Sequence, residues 1–478
     1  FVMRYPAKQT TQWLKLVLGS LILFFIAALM LFNPASLITS QQAKNDALIA
    51  GSMAYHVGVS AYLYGYPIIE MTSQMHNETH LVEEDQAVYA PVNKLYRLSH
   101  LINPQTAGNL RAPNSDTLYF HGWYDITQEP LIIHTPDTKG RYFTIAITNL
   151  YAEVVHIGRR TTGTKERLFA LVSPTWSGTL PDNVTPIITE TSKGWLLGRM
   201  LVTGPDDFAR ANSLMEQIWL KPLAKFNGQQ GDKTVGKIKA DKHDFKGSLS
   251  FFAELNRTLK TLPLRAGEAA LLAQFDEIGV GPNVTFDADL LTPPQRKGLE
   301  HAIKDAEDII QASVQRTIKS TNGWMISKDI GVYGYRYMHR ASVVKGGYGN
   351  LPEESLYPAA VFDENGNLLN GSDRFRVHFN PEQLPPVDGF WSLSAYKLED
   401  AQFEPNSIDR YSIGNLTKGL TYNELGGLTL DLQHEMPADT STNWLPIPKG
   451  HFMLVMRLYE PKQNVLDNQW IPPSIERL

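Results

Sequence analysis

The segment RYFTIAIT, residues 141–148, carries the pattern on which the predicted fold is based. Apolar side chains occupy every second position, at Phe143, Ile145 and Ile147, and threonine or alanine lies between them. Because successive side chains of a strand point to opposite faces, this alternation predicts a strand with one face in an apolar core.

The chain on both sides of this segment carries similar signals, which are separated by turn residues such as those in Thr135–Gly140. Many short strands at this spacing predict an antiparallel β-sandwich. The further predicted strands are Thr117–Asp125, Leu131–Thr135, Ala152–Gly158, Leu168–Ser173, Thr185–Thr189 and Trp195–Val202.

Helical periodicity comes before and after this β region. A helix is predicted to begin near Gln41, capped by Thr39 or Ser40, and to stop or bend at Gly65–Pro67. In the last predicted helix, Leu299, Ile303, Ala306, Ile310 and Val314 form one apolar face. The helices predicted after the β region are Asp207–Phe226, Leu249–Leu262, Ala266–Ile278 and Thr292–Ser320.

A second β region is predicted from about Tyr357 to Pro461. Val361–Leu369 contains an Asn-Gly turn, which is typical of a hairpin. Leu428–Gln433 alternates apolar and polar residues, whereas Phe452–Tyr459 is apolar on both faces, which predicts a central strand. The predicted fold class is therefore multi-domain α+β.

The N-terminus contains the longest apolar run of the chain, WLKLVLGSLILFFIAALMLF from Trp13 to Phe32. Its length suits one helix across a bilayer, and no basic residue follows it before Lys44. The positive-inside rule then predicts a cytoplasmic N-terminus and a body in the periplasm of a bacterial-type cell. We interpret residues 1–38 as a retained transmembrane anchor. The alternative is a signal peptide cleaved near residues 38–40.

Composition excludes several classes of protein. The 478 residues contain no cysteine, so disulfides, thiolate nucleophiles and cysteine-ligated metals are excluded. The net charge of −5 is spread without a basic stripe, so nucleic acid is not expected as a partner. The sequence has no phosphate-binding loop, dinucleotide fingerprint or nucleophile elbow, and no cofactor is predicted.

The most unusual motif is RAPNSDTLY, residues 111–119. Arg111, Asn114, Asp116 and Tyr119 could together bind an anionic or hydroxylated ligand. The alternative, which the sequence favours, is a structural turn stiffened by a local Arg–Asp pair at the start of a strand. In the second β region, Trp391, Arg410 and Trp444 belong to strings that resemble a sugar- or amphiphile-binding composition, although a packed aromatic core explains them as well.

Three histidines of the first β region, His121, His134 and His156, could hold zinc if their strands were neighbours. Satisfied structural histidines are the more common explanation of such residues, and no metal site is predicted.

These strings resemble a pair of bacterial families known as domain of unknown function 1254 and domain of unknown function 1214. The resemblance covers the chain from about His56 to the C-terminus, and it implies an immunoglobulin-like β-sandwich, a helical module and a jelly-roll-like domain. It implies no catalytic residues. On the N-terminal side it rests on RAPNSDTLY, Trp123, Asp125, Glu129-Pro130, Pro136-Asp137, Gly140–Tyr142 and Ile157–Gly163. On the C-terminal side it rests on Pro385–Tyr396, Asn406–Gly414, Asn443–Pro448, Phe452–Tyr459 and Trp470–Pro473.

The predicted domains are an anchor (1–38), a helix with a β-sandwich (39–205), a helical module (206–345) and a jelly-roll-like domain (346–478). Our first functional hypothesis is a membrane-tethered periplasmic protein that binds a small polar or amphiphilic ligand between the two β domains. The alternatives are a hydrolase or metal-dependent enzyme of the cell envelope, and a structural subunit of an envelope assembly. The expected partners are the inner membrane and the ligand, and a homo-oligomer or an envelope protein partner is left open. The candidate ligand-binding residues are Arg111, Asn114, Asp116, Tyr119, Trp391, Arg410 and Trp444.

Overall fold

The computed structural model describes residues 34–79, 90–108, 110–229, 244–316, 320–439 and 441–478. Within these ranges the protein is a mixed α+β structure with several sheets, in which most neighbouring strands run antiparallel.

The first described element is a helix of 46 residues, α1 (Pro34–Thr79), about 70 Å long at 1.5 Å per residue. The helix begins before the predicted start near Gln41 and continues through Pro67, so the predicted start and a stop at residues 65–67 were wrong. The predicted alternative, a bend at these residues, stays a prediction. An interior proline costs about 3 kcal/mol, whereas burial of one large apolar side chain contributes about 1.5–3 kcal/mol. Several large side chains on both sides of the proline are buried and outweigh its cost. These are Tyr64, Tyr66, Ile68, Ile69 and Met71.

The N-terminal β domain contains two sheets that share an apolar core. One has the strand order β1-β2-β8-β4-β5 and is antiparallel throughout. The other has the order β7-β6-β3-β9, with β6 and β7 parallel. The strands are β1 (Tyr96–Leu98), β2 (Thr117–Asp125), β3 (Leu131–Thr135), β4 (Phe143–Asn149), β5 (Val154–Gly158), β6 (Arg167–Val172), β7 (Val184–Ile188), β8 (Lys193–Leu201) and β9 (Trp219–Pro222). A short helix, α2 (Arg159–Thr162), follows β5.

The single helix predicted over residues 207–226 is interrupted. The structure has α3 (Phe208–Glu216), then strand β9, then α4 (Leu223–Phe226). Strand β9 pairs with β3, and its Leu220 enters the core of the domain. Sheet pairing and burial therefore override the local helical periodicity.

The helical module packs four further helices and α1 around a second core. Helices α1 and α7 approach closely, and a Cβ atom at Gly298 would lie 2.4 Å from the carbonyl oxygen of Gly51. The predicted apolar face of α7 is confirmed by the burial of Leu299, Ile303 and Ile310. The four helices are α5 (Ser250–Leu259), α6 (Ala269–Phe275), α7 (Pro293–Arg316) and α8 (Tyr337–Gly346).

The C-terminal β domain also has two sheets and a shared core. Strand β19 pairs with β12, β13 and β15, which confirms the predicted central strand. The predicted alternation of β17 is confirmed by its strictly alternating burial. The strands are β10 (Ser320–Thr321), β11 (Trp324–Met325), β12 (Ser355–Leu356), β13 (Ala359–Ala360), β14 (Phe375–Phe379), β15 (Trp391–Lys397), β16 (Ser412–Gly414), β17 (Leu428–Gln433), β18 (Trp444–Pro446), β19 (Phe452–Tyr459) and β20 (Glu476–Arg477), with a short helix α9 (Gln463–Leu466) after β19.

The five-stranded sheet of the N-terminal domain is covered on both faces. Its inner face lines the domain core. On the outer face, Trp123 and Trp195 contact the helical module. Further along the same face, Tyr142 and Leu201 contact the C-terminal β domain. The outer face is therefore the place where the three parts of the protein meet.

In the described ranges, no helix is both long and apolar enough to cross a membrane. The apolar run Trp13–Phe32, on which the predicted anchor rests, lies outside the described residues.

Candidate ligand site between the two β domains

The RAPNSDTLY motif, residues 111–119, lies between the two β domains, and we call it the interlock segment. Both carboxylate oxygens of Asp116 accept hydrogen bonds from the C-terminal domain, from the Ser392 hydroxyl at 2.5 Å and the Ser412 hydroxyl at 2.6 Å. Bonds to a charged acceptor are stronger than bonds between neutral groups. Asp116 therefore joins two domains that are far apart in sequence.

Arg457 of β19 holds the backbone of the interlock segment from the other side. Its Nη2 donates to the carbonyl oxygens of Ala112 and Pro113, and its Nη1 donates to the Ser394 hydroxyl. The Tyr396 hydroxyl accepts a further bond from Arg457 at 2.6 Å. Arg457 is buried, and these bonds compensate for the desolvation of its charge.

The structural alternative for the motif is confirmed only in part. The Asn114 amide oxygen accepts from the Asp116 N–H, which is the expected turn. Its Nδ2 donates across the domain boundary to the Tyr459 hydroxyl at 2.7 Å. The structure shows no ion pair between Arg111 and Asp116 within the described residues, and Arg111 is exposed. The motif therefore forms the expected turn within itself and is also hydrogen-bonded to the other domain.

The candidate residues of the second β region do not gather around the interlock segment. Trp391 is buried in the core of the C-terminal domain against Phe379. Trp444 is also buried, and its indole N–H donates to the Gln433 carbonyl. Arg410 donates to the Trp444 carbonyl oxygen at 2.8 Å. These contacts favour packing roles for the three side chains.

A pocket of about 350 Å³ opens beside the domain boundary, and we call it the junction pocket. The C-terminal domain contributes Gly389 and Leu416, whereas the N-terminal domain provides the other residues, with Tyr142 and Leu201 among them. Its volume lies in the range of small-molecule sites. Four of the side chains that line it are basic, and Asp207 is the acid among them. The basic residues are Lys139, Arg141, Arg159 and Arg210.

Two of these arginines are fixed by ion pairs. Arg141 makes a bidentate pair with Asp207 and also donates to the Leu201 carbonyl, and its buried Nε–H has no acceptor. Hydrogen bonds from Arg141 lower the pKa of Asp207 to about 2, so this carboxylate is ionised at neutral pH. Arg159 pairs with Glu460 of the C-terminal domain.

Positive charge remains after these pairs are counted. Lys139 pairs with Asp137 at 2.8 Å, and Arg210 is exposed. Lys418 of the C-terminal domain lies close to Gly204, but it is paired with Asp206. Among the basic side chains of the lining, Arg210 is therefore the one for which the described residues show no ion pair. An anion with a short apolar portion would match this lining, because Tyr142, Leu201 and Leu416 supply apolar surface.

The three histidines do not converge. His134 lies in the four-stranded sheet, where it stacks on Trp219 with ring centroids 4.9 Å apart. His121 and His156 lie in the five-stranded sheet, on β2 and β5. In the part of the chain that the structure describes, no group of three or more histidine or acidic side chains could hold a metal ion.

His156 is a buried neutral histidine on the outer face of the five-stranded sheet. Its ring contacts the Thr144 hydroxyl at 3.1 Å and accepts from the Leu351 N–H at 3.4 Å. Burial, together with the positive charges of Arg160 and Arg199, lowers its pKa to about 3. His156 is therefore neutral at neutral pH, mainly because it is buried.

Sequence reasoning missed the arginines that dominate this region. Arg141 and Arg159 belong to strings that carry the family resemblance, but no role followed from them. Arg199 and Arg457 lie on strands among apolar residues, and a charge within an otherwise buried strand was a usable signal.

The Asp116 link can be tested with Asp116→Asn. The variant loses the charge that accepts two serine hydroxyls, so we expect the free energy of unfolding to fall by about 1–3 kcal/mol in urea titrations. Asp182→Asn, in an exposed turn, is the matched control and is expected to stay within about 0.5 kcal/mol of the wild type. Equal stability of the two variants would contradict a role for Asp116 in joining the domains.

His156 predicts a pH dependence of stability. Its folded pKa of about 3 lies below the ordinary 6.5, so the unfolded chain takes up the proton first as pH falls. The stability that the neutral ring contributes is complete above pH 6.5 and is lost between about 6.5 and 3, by about 1.4 kcal/mol per pH unit. In urea titrations at pH 7 and pH 5, His156→Gln should lose about 2 kcal/mol less stability than the wild type. An unchanged difference would show that His156 is not buried in neutral form.

Comparisons with known proteins bear on the family. The model of the family "Protein of unknown function (DUF1254)" matches residues 92–222, and that of "Protein of unknown function (DUF1214)" matches residues 354–463. A search of the curated proteins found no match.

Two solved structures are similar over most of the chain. The VPA0106 protein from Vibrio parahaemolyticus shares 24% identity with a TM-score of 0.69, and the alignment covers 89% of this chain and 100% of that one. An uncharacterized protein from Burkholderia cenocepacia shares 11% identity with a TM-score of 0.42, over 93% of this chain and 98% of that one. At 24% identity, the Vibrio structure shows a shared fold and nothing about activity. With both family models matched in the expected order, the chain belongs to the family of proteins that pair a DUF1254 domain with a DUF1214 domain.

Proposed function

We propose that this protein binds a small organic anion in the junction pocket, with a phosphate-type group as its charged end. The observation that carries the proposal is a pocket of about 350 Å³ between two β domains with four basic side chains in its lining. These basic side chains come from three separate parts of the chain, namely residues 139–141, residue 159 and residue 210. A tetrahedral oxyanion accepts hydrogen bonds from several directions, whereas a planar carboxylate is best matched by one guanidinium.

The apolar part of the lining adds a size limit. Tyr142, Leu201 and Leu416 leave room for a short carbon skeleton but not for a polymer, given the volume of the pocket. This extends the hypothesis of a small polar or amphiphilic ligand between the β domains. The residues that we propose to face the ligand are Lys139, Arg141, Arg159 and Arg210, in place of the aromatic strings of the C-terminal domain.

We also propose the finer fold names that the family resemblance implies, an immunoglobulin-like N-terminal domain and a jelly-roll-like C-terminal domain. Two facing sheets in each domain support this proposal. An experimental structure with strand connections of another class would contradict it.

The binding proposal predicts a charge-dependent affinity. In the double variant Lys139→Gln/Arg210→Gln, glycerol phosphate should bind about tenfold more weakly than to the wild type, as expected for the loss of a charge-assisted contact of about 1.4 kcal/mol. Isothermal titration calorimetry at low salt measures this, and affinity should fall as salt is added.

The control is Lys304→Gln, on the exposed side of α7 and far from the pocket lining, which should keep wild-type affinity. Both substituted residues of the double variant are exposed, so folding is expected to be unaffected. An absence of binding to the wild type, or equal affinity in all three proteins, would overturn the proposal.

We propose, further, that the run Trp13–Phe32 anchors this body to the outer side of a bacterial inner membrane. Its length and the distribution of basic residues support the proposal. A fluorescent protein that matures only in the cytosol, fused after Leu478, should give no signal in cells. Deletion of residues 1–38 is the control and should restore fluorescence. A bright signal from the full chain would show that the body stays in the cytosol.

A further inference from the structure

A second pocket, of about 450 Å³, opens between the N-terminal β domain and the helical module, and we call it the loop pocket. The β domain lines it with the segments that follow β2 and β6 and with the residue that precedes β8. The helical module lines it with residues 260–263, directly after α5. The volume lies within the range of small-molecule sites, and the loop pocket shares no lining residue with the junction pocket.

Hydroxyl and amide groups make up most of the polar part of this lining. The side-chain amide of Gln128 and the hydroxyl of Ser192 have no hydrogen-bond partner among the described residues, and both are accessible to solvent. The Ser173 and Thr175 hydroxyls bond to each other at 3.1 Å, and the Thr261 hydroxyl donates to a backbone carbonyl, so all three keep acceptor capacity. Because such groups can donate and accept, the pocket offers both kinds of hydrogen bond to a ligand.

Trp176 supplies the aromatic part of the lining. Its ring packs beside a small apolar cluster of the four-stranded sheet that includes Val172 and Val184. Gly178 also lies against the ring, since a Cβ atom at Gly178 would be 2.4 Å from Cζ2 of the indole. Trp176 is half-buried, and its indole N–H is accessible and has no acceptor among the described residues. The ring is therefore held by its neighbours and gives the pocket an apolar surface and one donor.

Charge is sparse in the loop pocket. Lys260 is the one charged side chain in the lining, and its Nζ donates to the Thr285 hydroxyl at 3.2 Å. Among the described residues no carboxylate lines the pocket, so neither a metal ion nor a cationic ligand would find a counter-charge there. An anion would meet one cation, compared with four in the junction pocket. A purely apolar ligand would remove the Gln128 amide and the hydroxyls from water without replacing their hydrogen bonds, which is unfavourable.

We propose that the loop pocket binds an uncharged sugar of one or two rings. A sugar ring carries hydroxyl groups that donate and accept, and it also has C–H surface that packs on an aromatic side chain. It therefore matches both parts of the lining. Trp176 contacts the sugar ring, and Gln128 and Ser192 bond to its hydroxyls. The proposal goes beyond the anion site, because the two linings share no residue and differ in charge.

Trp176→Ala is the main test, because it removes the aromatic surface and the indole donor together. The test ligands are maltose, cellobiose, lactose and diacetylchitobiose, which differ in linkage and stereochemistry. In calorimetric titrations the wild type should bind at least one of them with a dissociation constant of about 1 mM or lower. Its affinity should fall by about tenfold in Trp176→Ala, as expected for the loss of an aromatic contact and a hydrogen bond.

Gln128→Ala is the second variant, because Gln128 is exposed and its loss should leave the melting temperature unchanged. Its sugar affinity should fall by about fivefold. Gln469→Ala is the matched control, because Gln469 is an exposed glutamine of the C-terminal domain outside the lining, and it should keep wild-type affinity.

The proposal is overturned if the wild type binds none of the four sugars at concentrations up to about 10 mM. It is also overturned if a folded Trp176→Ala variant binds like the wild type, if Gln128→Ala keeps full affinity, or if Gln469→Ala loses as much affinity as Gln128→Ala. If Trp176→Ala does not fold, the comparison of Gln128→Ala with Gln469→Ala decides the question.

Discussion

The structure depends on one constraint, namely that the five-stranded sheet of the N-terminal domain has no free face. One face closes the core of its own domain, and the other face contacts the helical module and the C-terminal domain. Strand β4, an interior strand of this sheet, is therefore buried along its whole length. Every polar side chain on the outer face must find its partners in another part of the chain.

The charged side chains near the outer face differ in how many of their hydrogen-bonding groups have partners in the protein. Asp116 and Arg457 have partners on all sides, so they join domains and leave no capacity for a ligand. Arg141 and Arg159 are held by acids but line open space. Arg199 has neutral neighbours and an unused N–H group. What distinguishes the interlock segment from the candidate site is therefore whether all hydrogen-bonding groups of a charged side chain have partners in the protein, and not whether a charge is present.

Strand positions were readable from the sequence because alternation is a local property. The predicted bounds of β2 and β3 agree with the structure. Helix ends were harder, because Pro67 and the β9 segment are decided by burial and sheet pairing that no local pattern contains. The motif RAPNSDTLY was identified correctly as unusual. Its role could not be predicted, since the Asp116 partners lie 276 and 296 residues away.

The positions of the arginines show why their roles escape sequence reasoning. Arg199, Arg340 and Arg457 all come from segments that the structure buries, but Arg199 and Arg340 have a protein acceptor on one nitrogen each and Arg457 has acceptors on two. Arg457 donates to two backbone carbonyls and two hydroxyls, whereas the described structure shows one protein acceptor for Arg199. The role of each arginine therefore depends on the acceptors around it, and those acceptors come from segments that are far apart in the sequence.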